Sequence, residues 1–201
     1  MDTPKRSRHF TAALKIPDIR FFIGSVAFFT LASRALAVVI GFQIYQLTHN
    51  ALALGWLGLV EAIPALSLVL LGGYVADHFN RHRILMITRA ASCLCAVALA
   101  ALSWHSHTTS VISLYAVIFL AGIARGFADP AGTAFEAQII PKELTVNGAS
   151  WISSMWITCS IAGPAVIGFV FDAWGAAGSY LLIAGSFILS CFWTFLIRPQ
   201  P

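Results

Sequence analysis

Charged residues are scarce in this sequence. Of 201 residues only 10% are Asp, Glu, Lys or Arg, whereas 59% are hydrophobic, and the mean hydropathy is +0.83. Soluble domains carry roughly 25% charged residues, and a globule of this length could not bury so much apolar surface. The shortage of charge therefore excludes an ordinary soluble domain and indicates that the lipid bilayer surrounds the chain.

Signatures of catalysis and of metal binding are also missing. There is no H-E-x-x-H, no G-x-S-x-G, no P-loop and no dense group of carboxylates, so we assign no catalytic residue and predict that the chain is not an enzyme. The four cysteines lie inside apolar runs without the spacing of zinc ligands or of a disulfide framework. His105 and His107 have no acidic or cysteine neighbours. We expect no metal site, no cofactor and no nucleic-acid partner.

Long apolar runs dominate the sequence. A bilayer core takes about 20 apolar residues per helix. Six segments meet this requirement, at about residues 21–47, 52–76, 84–104, 111–135, 149–171 and 179–197. The runs are continuous rather than alternating, which excludes a β-barrel. The predicted fold is all-α, with six transmembrane helices in a membrane domain over 21–198 and an interfacial segment over 1–20.

The Lys and Arg residues outside the runs predict the orientation. The first, third and fifth breaks between runs contain none, whereas the second and fourth breaks and both flanks contain them: Lys5, Arg6, Arg8, Lys15, Arg20, Arg81, Arg83, Lys142 and Arg198. Basic loops stay in the cytoplasm. Both termini are therefore expected to be cytoplasmic in a multi-pass protein of the cell (inner) membrane.

The second break, GGYVADHFNRHR at 72–83, combines one acid with several basic groups. Its pattern G-x-x-x-D-x-x-x-R-x-R resembles the loop signature of the major facilitator superfamily, roughly G-x-x-x-D-R-x-G-R-R, at Gly73, Asp77, Arg81 and Arg83. Asn80 replaces the usual glycine. Because Gly73 has no Cβ, it is expected to let a neighbouring helix approach closely. A plain positively charged loop is the alternative interpretation.

Two further stretches resemble the same family. In the fifth run, GPAVIG resembles its G-P-x-x-G-G packing motif, at Gly163, Pro164 and Gly168. In the fourth run, GIARGFADPA followed by IIPKELTVNGAS is similar to the exporter branch that includes enterobactin and macrolide efflux proteins. The resemblance implies one six-helix half, built from two inverted three-helix repeats, of a fold that usually has twelve helices.

Several charged residues lie inside the runs, where each costs about 2.5–3.5 kcal/mol if it faces lipid. Counting along the helices places Arg34, Glu61 and Arg125 near mid-depth. They could bind substrate or a coupling ion together with Asp129, or Arg34 and Glu61 could form a structural ion pair. The resemblance implies that Arg34 and Arg125 line a central cavity.

Two other sets of charged residues receive different predictions. Arg89 is close enough to the cytoplasmic end of its run to extend to the interface, and we interpret it as structural. The resemblance implies that Asp129 or Glu136 could pair with Arg81 or Arg83, although a solvated Glu136 is equally compatible with the pattern.

The leading functional hypothesis is a secondary active transporter that exports a small organic molecule, with protons moving in the opposite direction, by alternating access. The alternative is a truncated, non-transporting six-helix protein or a helper subunit. Since only half of the family's fold is matched, we expect a homodimer or a separately encoded C-terminal half as a further partner. A membrane enzyme lacks any candidate chemistry.

Overall fold

The structure is a computed structural model that describes residues 13–104 and 110–197. Five long helices dominate this part of the chain: α1 (Pro17–Thr48), α2 (Ala51–His78), α3 (Arg81–Trp104), α4 (Val111–Ile139) and α5 (Thr145–Phe195). Short 3-10 helices cover Ala13–Lys15 and Lys142–Leu144, and the described residues contain no strand. The prediction of an all-helical protein is confirmed. Each long helix is long and apolar enough to cross a membrane.

Some expectations fall outside the described residues. These are the interfacial role of 1–12, the loop at 105–109 with His105 and His107, and the basic flank at Arg198.

The structure has five long helices where the sequence predicts six. The difference lies in α5, whose 51 residues include the fifth predicted run and nearly all of the sixth. Within the intervening break, 172–178, Gly175 alone leaves the helical region, with φ 65° and ψ −169°. The alanines on both sides of Gly175 favour helix, so the break is confined to one residue.

The chain reverses direction at Gly175. Ile152 and Ile197 lie near opposite ends of α5, yet both belong to one hydrophobic cluster. A straight helix would separate them by about 68 Å at ~1.5 Å per residue. The two parts of α5, residues 145–174 and 176–195, therefore lie side by side.

Two hydrophobic clusters define the ends of the bundle. The first, which we call the terminal end, contains Ile19, Phe22, Phe135, Ile152 and Ile197. The second, the distal end, contains Ile44, Ala53, Leu99, Leu114 and Tyr180. Between these ends, α1 packs mainly against α5, α2 packs mainly against α4, and α3 contacts both α4 and α5. This pairing decides which charged side chains can meet.

Candidate functional site

Helices α2 and α4 cross at very short range because α4 carries two glycines four residues apart. A Cβ added at Gly122 would lie 2.5 Å from the carbonyl oxygen of Glu61. A Cβ added at Gly126 would lie 2.9 Å from Leu68 Cβ and 3.0 Å from the carbonyl oxygen of Ala65. Small residues at this spacing let helix backbones touch. The crossing brings the charged residues of the two helices together.

The crossing joins Arg125 of α4 to Glu61 of α2. The Arg125 Nη1 donates a 2.8 Å hydrogen bond to Glu61 Oε1, and the Arg125 Nε lies 3.6 Å from Asp129 Oδ2. All three side chains are partly exposed, at 43% for Arg125, 31% for Glu61 and 64% for Asp129. Arg125 is thus flanked by two carboxylates.

The structure does not contain the Arg34–Glu61 ion pair that the sequence analysis left open as an alternative. Glu61 bonds Arg125 instead, because α2 packs against α4 far more extensively than against α1. Arg34 lies on α1 with its guanidinium carbon 5.3 Å from the centre of the Trp156 ring of α5. Over the described ranges 13–104 and 110–197, Arg34 has no ion pair and no hydrogen bond from its side chain.

The predicted packing motif of α5 lies against α1 beside Arg34. A Cβ at Gly163 would lie 2.8 Å from the carbonyl oxygen of Leu31 and 3.4 Å from Arg34 Cβ, so α5 approaches α1 directly beside Arg34. Pro164 lies inside α5. A Cβ at Gly168 would meet nothing within 4 Å among the described atoms. Gly163 is therefore the member of the motif that allows close contact.

The prediction that Arg89 extends to the interface is wrong. Arg89 is only 3% exposed, and its Nη1 donates to the hydroxyl oxygens of Ser25 and Thr194. Its guanidinium carbon also lies 5.5 Å from the centre of the Phe29 ring. Because α1 and α5 offer hydroxyl groups at this level, the arginine is held inside the bundle. The signal that sequence reasoning missed is Ser190 and Thr194, which share one helical face four residues apart.

A cavity of about 580 Å³ opens between α1, α3, α4 and α5. Its charged lining residues include three that the sequence had singled out as substrate or coupling candidates, Arg34, Arg125 and Asp129, together with Arg89, which had been interpreted as structural. Glu136 lines it as well, and Glu61 is connected to it through Arg125. Phe22, Leu85 and Ile152 line the cavity and belong to the cluster at the terminal end, so the cavity occupies that half of the bundle.

The loop motif between α2 and α3 forms its own set of contacts. The Arg81 Nη2 lies 3.8 Å from Asp77 Oδ1, the Arg81 Nε donates to the Ala76 carbonyl at 3.0 Å, and its Nη1 donates to the Ala134 carbonyl of α4 at 3.3 Å. Asp77 is 71% exposed. Asn80 accepts a hydrogen bond from the Arg83 backbone at 3.2 Å and so begins α3.

Two expectations for this loop differ from the structure. A Cβ at Gly73 would meet no described atom within 4 Å; the neighbouring Gly72 faces α4, where an added Cβ would clash with the Gly126 carbonyl. The helix turns about 100° per residue, so adjacent glycines point in different directions. Asp129 pairs with Arg125, whereas Arg81 bonds Asp77, and the expected contact of Asp129 with the loop arginines does not form.

These features describe a multi-pass membrane protein whose helices enclose a charged cavity. The chain belongs to the major facilitator superfamily, since the model of that family matches residues 22–201. Over 146 residues it is 31% identical to the staphyloferrin A transporter of Staphylococcus aureus (strain NCTC 8325 / PS 47). That match covers 71% of this chain and 36% of the relative, so the matched region spans well under half of the relative's length.

The fold is similar to that of a solved structure, the in meso crystal structure of the POT family transporter PepTSo. The TM-score is 0.73 at 16% identity, and the match covers 92% of this chain and 39% of the other. At that identity the likeness shows the fold alone. The matched family and the matched relative are both transporters, which confirms the prediction that the chain is not an enzyme.

Proposed function

We propose that the chain forms part or all of a secondary active transporter that exports a small organic molecule by alternating access. The observation that carries the proposal is the cavity of about 580 Å³ lined by intramembrane charges. Ionisable residues inside a membrane domain are expensive and commonly mark a substrate or ion pathway. Family membership supports this assignment. Staphyloferrin A, which the matched relative's name specifies, is a concrete first substrate to test.

In this proposal protons move opposite to the substrate. Glu61 and Asp129 both contact Arg125, so protonation of either carboxylate would weaken its attraction to the guanidinium. Because Glu61 lies on α2 whereas Asp129 lies on the same helix as Arg125, protonation of Glu61 would loosen the α2–α4 connection and so link a proton to helix movement. Arg34 and Arg125 would contact the substrate, and the Asp77–Arg81 contact at the terminal end would help to hold one conformation.

We further propose that the bundle crosses the membrane six times, as one half of the family fold with two inverted three-helix repeats. At ~1.5 Å per residue the 51 residues of α5 would measure about 77 Å, more than twice a ~30 Å hydrocarbon core. The reversal at Gly175 supports two crossings. Residues 21–198 would form this domain, and 1–20 would lie along the interface.

The terminal end would face the cytoplasm of a cell (inner) membrane. The described basic residues at helix ends and turns all belong to this end, which supports the orientation: Lys15, Arg20, Arg81, Arg83 and Lys142. The cavity would then open toward the cytoplasm, as an exporter needs when it loads substrate.

A second six-helix bundle is the proposed partner, either another copy of this chain or a separately encoded C-terminal half. Asp77 is 71% exposed and Arg125 43% exposed, although both belong to membrane-length helices. A partner that covers these two side chains would remove the free-energy cost of their contact with lipid. Cross-linking in native membranes, with the mass measured in mild detergent, tests this proposal; a stable monomer competent for transport would contradict it.

The test of function is substrate accumulation in proteoliposomes of the full chain. With an acidic interior, outward-moving protons should drive staphyloferrin A inward, and a protonophore should abolish the accumulation. Arg125→Gln should transport far less, whereas Lys142→Gln, which removes an exposed charge that does not line the cavity, should transport normally. Accumulation that ignores the pH gradient would contradict proton coupling, and no accumulation by folded protein would contradict transport of this compound.

A further inference from the structure

We propose that Arg34 and Arg89 form an anion-binding pair in the cavity, so that the substrate class is a small organic anion with carboxylate or phosphate groups. This inference rests on the proposed transport function and adds to it the charge of the transported molecule. It also gives Arg89, which the sequence predicted to be structural, a direct contact with the ligand.

The three cavity arginines are unequally neutralised. Arg125 lies between Glu61 and Asp129 and has two carboxylate neighbours. Across the residues that the structure describes, neither Arg34 nor Arg89 has a carboxylate within ion-pair distance. Two uncompensated guanidinium groups therefore line the same cavity. A ligand with negative charge is the chemistry that would offset them.

Of the two arginines, Arg89 has the greater need of a negatively charged partner because it is only 3% exposed. A buried charge is costly unless it is paired and hydrogen-bonded. Its Nη1 bonds the hydroxyl oxygens of Ser25 and Thr194, but these are neutral groups that also bond each other at 2.6 Å. A guanidinium has five N–H donors. No described residue accepts a hydrogen bond from Arg89 Nε or Nη2, which leaves donors for a ligand oxygen.

No described residue forms an ion pair with the Arg34 guanidinium or accepts a hydrogen bond from it, so its N–H groups are available to a ligand. The Trp156 ring 5.3 Å away can hold the cation through its π face, and this contact leaves the N–H groups unused. A planar guanidinium binds a carboxylate or a phosphate through two parallel hydrogen bonds. Arg34 is therefore oriented but not neutralised by its neighbours.

The remainder of the cavity fits an organic body. Ligand sites commonly enclose about 300–1,000 Å³, and this cavity encloses about 580 Å³. Its apolar lining includes Val26, Phe29 and Ile157. Asp129 and Glu136 also line it, and their charges would repel an anion and direct it toward the two arginines. A free organic acid and an anionic lipid headgroup share the required chemistry.

Binding of a defined dianion tests the proposal without requiring transport. The probe is isophthalate, which has two carboxylates on an apolar ring, and its neutral counterpart is isophthalamide. Full-length chain in phosphatidylcholine nanodiscs is titrated with each compound by calorimetry. Native mass spectrometry in detergent supplemented with phosphatidylglycerol measures retention of an anionic lipid.

The variants are matched by chemistry. Arg34→Gln removes a half-buried guanidinium that has no ion pair among the described residues and lies over the Trp156 ring, so the fold should survive. Arg20→Gln makes the same change at an exposed position on the same helix, outside the cavity. Arg89→Lys keeps the buried charge but removes the planar fork. It replaces Arg89→Gln, which could fail to fold because it disturbs the hydroxyl network.

The expected result is saturable binding of isophthalate and none of isophthalamide. Arg34→Gln should weaken isophthalate binding on the order of 10-fold to 100-fold, the effect of losing charge-assisted hydrogen bonds. Arg89→Lys should weaken it severalfold, and Arg20→Gln should leave it unchanged. Equal loss in Arg20→Gln and Arg34→Gln, or equal binding of both compounds, would overturn the anion site.

The lipid measurement distinguishes the two sources of the anion. If isophthalate does not bind but phosphatidylglycerol is retained by the unaltered chain and lost from Arg34→Gln, the pair binds a headgroup and the substrate assignment is overturned. Anion binding without transport would contradict the proposed function and leave the site intact. Transport that is unaffected by Arg34→Gln would contradict the site and leave the function intact.

Discussion

The Nη1 of Arg125 lies 2.8 Å from Glu61 Oε1, which joins α4 to α2 near the middle of both helices. The contact exists because Gly122 and Gly126 let the two helix backbones meet at this level. Charge and packing therefore depend on each other at one crossing, and each can be changed separately.

Glu61 and Arg125 should be energetically coupled. Glu61→Gln and Arg125→Gln should each lower the free energy of unfolding, and the double variant should lose less than the sum. The expected coupling energy is about 0.5–3 kcal/mol, as for other residues in contact, and partial exposure of both side chains favours the lower part of that range. Unfolding in mixed detergent micelles provides the measurement.

The control cycle combines Glu61→Gln with Arg34→Gln. These two residues belong to helices that pack against different partners, so their effects should add. Strong coupling to Arg34, with none to Arg125, would mean that the alternative pair suggested by the sequence forms in the protein.

Close packing of α2 against α4 predicts that Gly126→Ala is destabilising. Its Cβ would lie 2.9 Å from Leu68 Cβ and 3.0 Å from a backbone oxygen, so the helices would have to separate. Such overpacking costs about 1–3 kcal/mol. Gly132→Ala on the same helix is the control, because its Cβ would meet only Leu85 Cδ2 at 4.0 Å. Equal thermal stability of the two variants would argue against the crossing.

Hydropathy predicts most of the helical architecture. The prediction fails where the structure depends on features that hydropathy does not measure. The run predicted at 52–76 is close to α2 (Ala51–His78), since a long apolar run in lipid must satisfy its backbone as helix. The length of the break at 172–178 is harder to predict, because a single glycine can reverse the chain while the alanines on both sides keep the flanking residues helical. Composition does not reveal how short such a reversal is.

The site was only partly predictable for a related reason. Mid-depth position predicts that Arg34 and Arg125 face protein or water rather than lipid, and the family resemblance adds that they line a central cavity. The partner of Glu61 depends on which helices pack together, and this follows from glycine contacts that no count of depth includes. The prediction for Arg89 was wrong because it used only the residue's depth in the membrane, which suggested that the side chain extends to the interface. In the structure the guanidinium instead donates hydrogen bonds to Ser25 and Thr194 inside the bundle.

The reversal in α5 should depend on glycine at position 175. Its φ of 65° and ψ of −169° belong to a region that is essentially restricted to glycine. Gly175→Ala should therefore lower the free energy of unfolding by about 1–3 kcal/mol. Gly185→Ala, in the same helix but with open space around its Cβ, should be neutral or slightly stabilising. An unchanged melting temperature in Gly175→Ala would contradict this backbone geometry.

The orientation predicts which turns an impermeant thiol reagent can reach. In a chain without its native cysteines, Asn50→Cys in the α1–α2 turn should be labelled in intact cells. Asn80→Cys in the α2–α3 turn should be labelled only after permeabilisation. Both asparagines are exposed residues that accept a hydrogen bond from a helix start, so the substitutions are matched. The opposite pattern would invert the topology.

Blocking the cavity tests most directly whether it is the transport route. Ser153 lines the cavity, whereas Ser150, on the same helix and also exposed, does not. In proteoliposomes of the cysteine-free chain, attaching a bulky thiol reagent to Ser153→Cys should abolish pH-driven accumulation of staphyloferrin A, and the same label on Ser150→Cys should leave it unchanged. Undiminished transport by fully labelled Ser153→Cys would contradict the account.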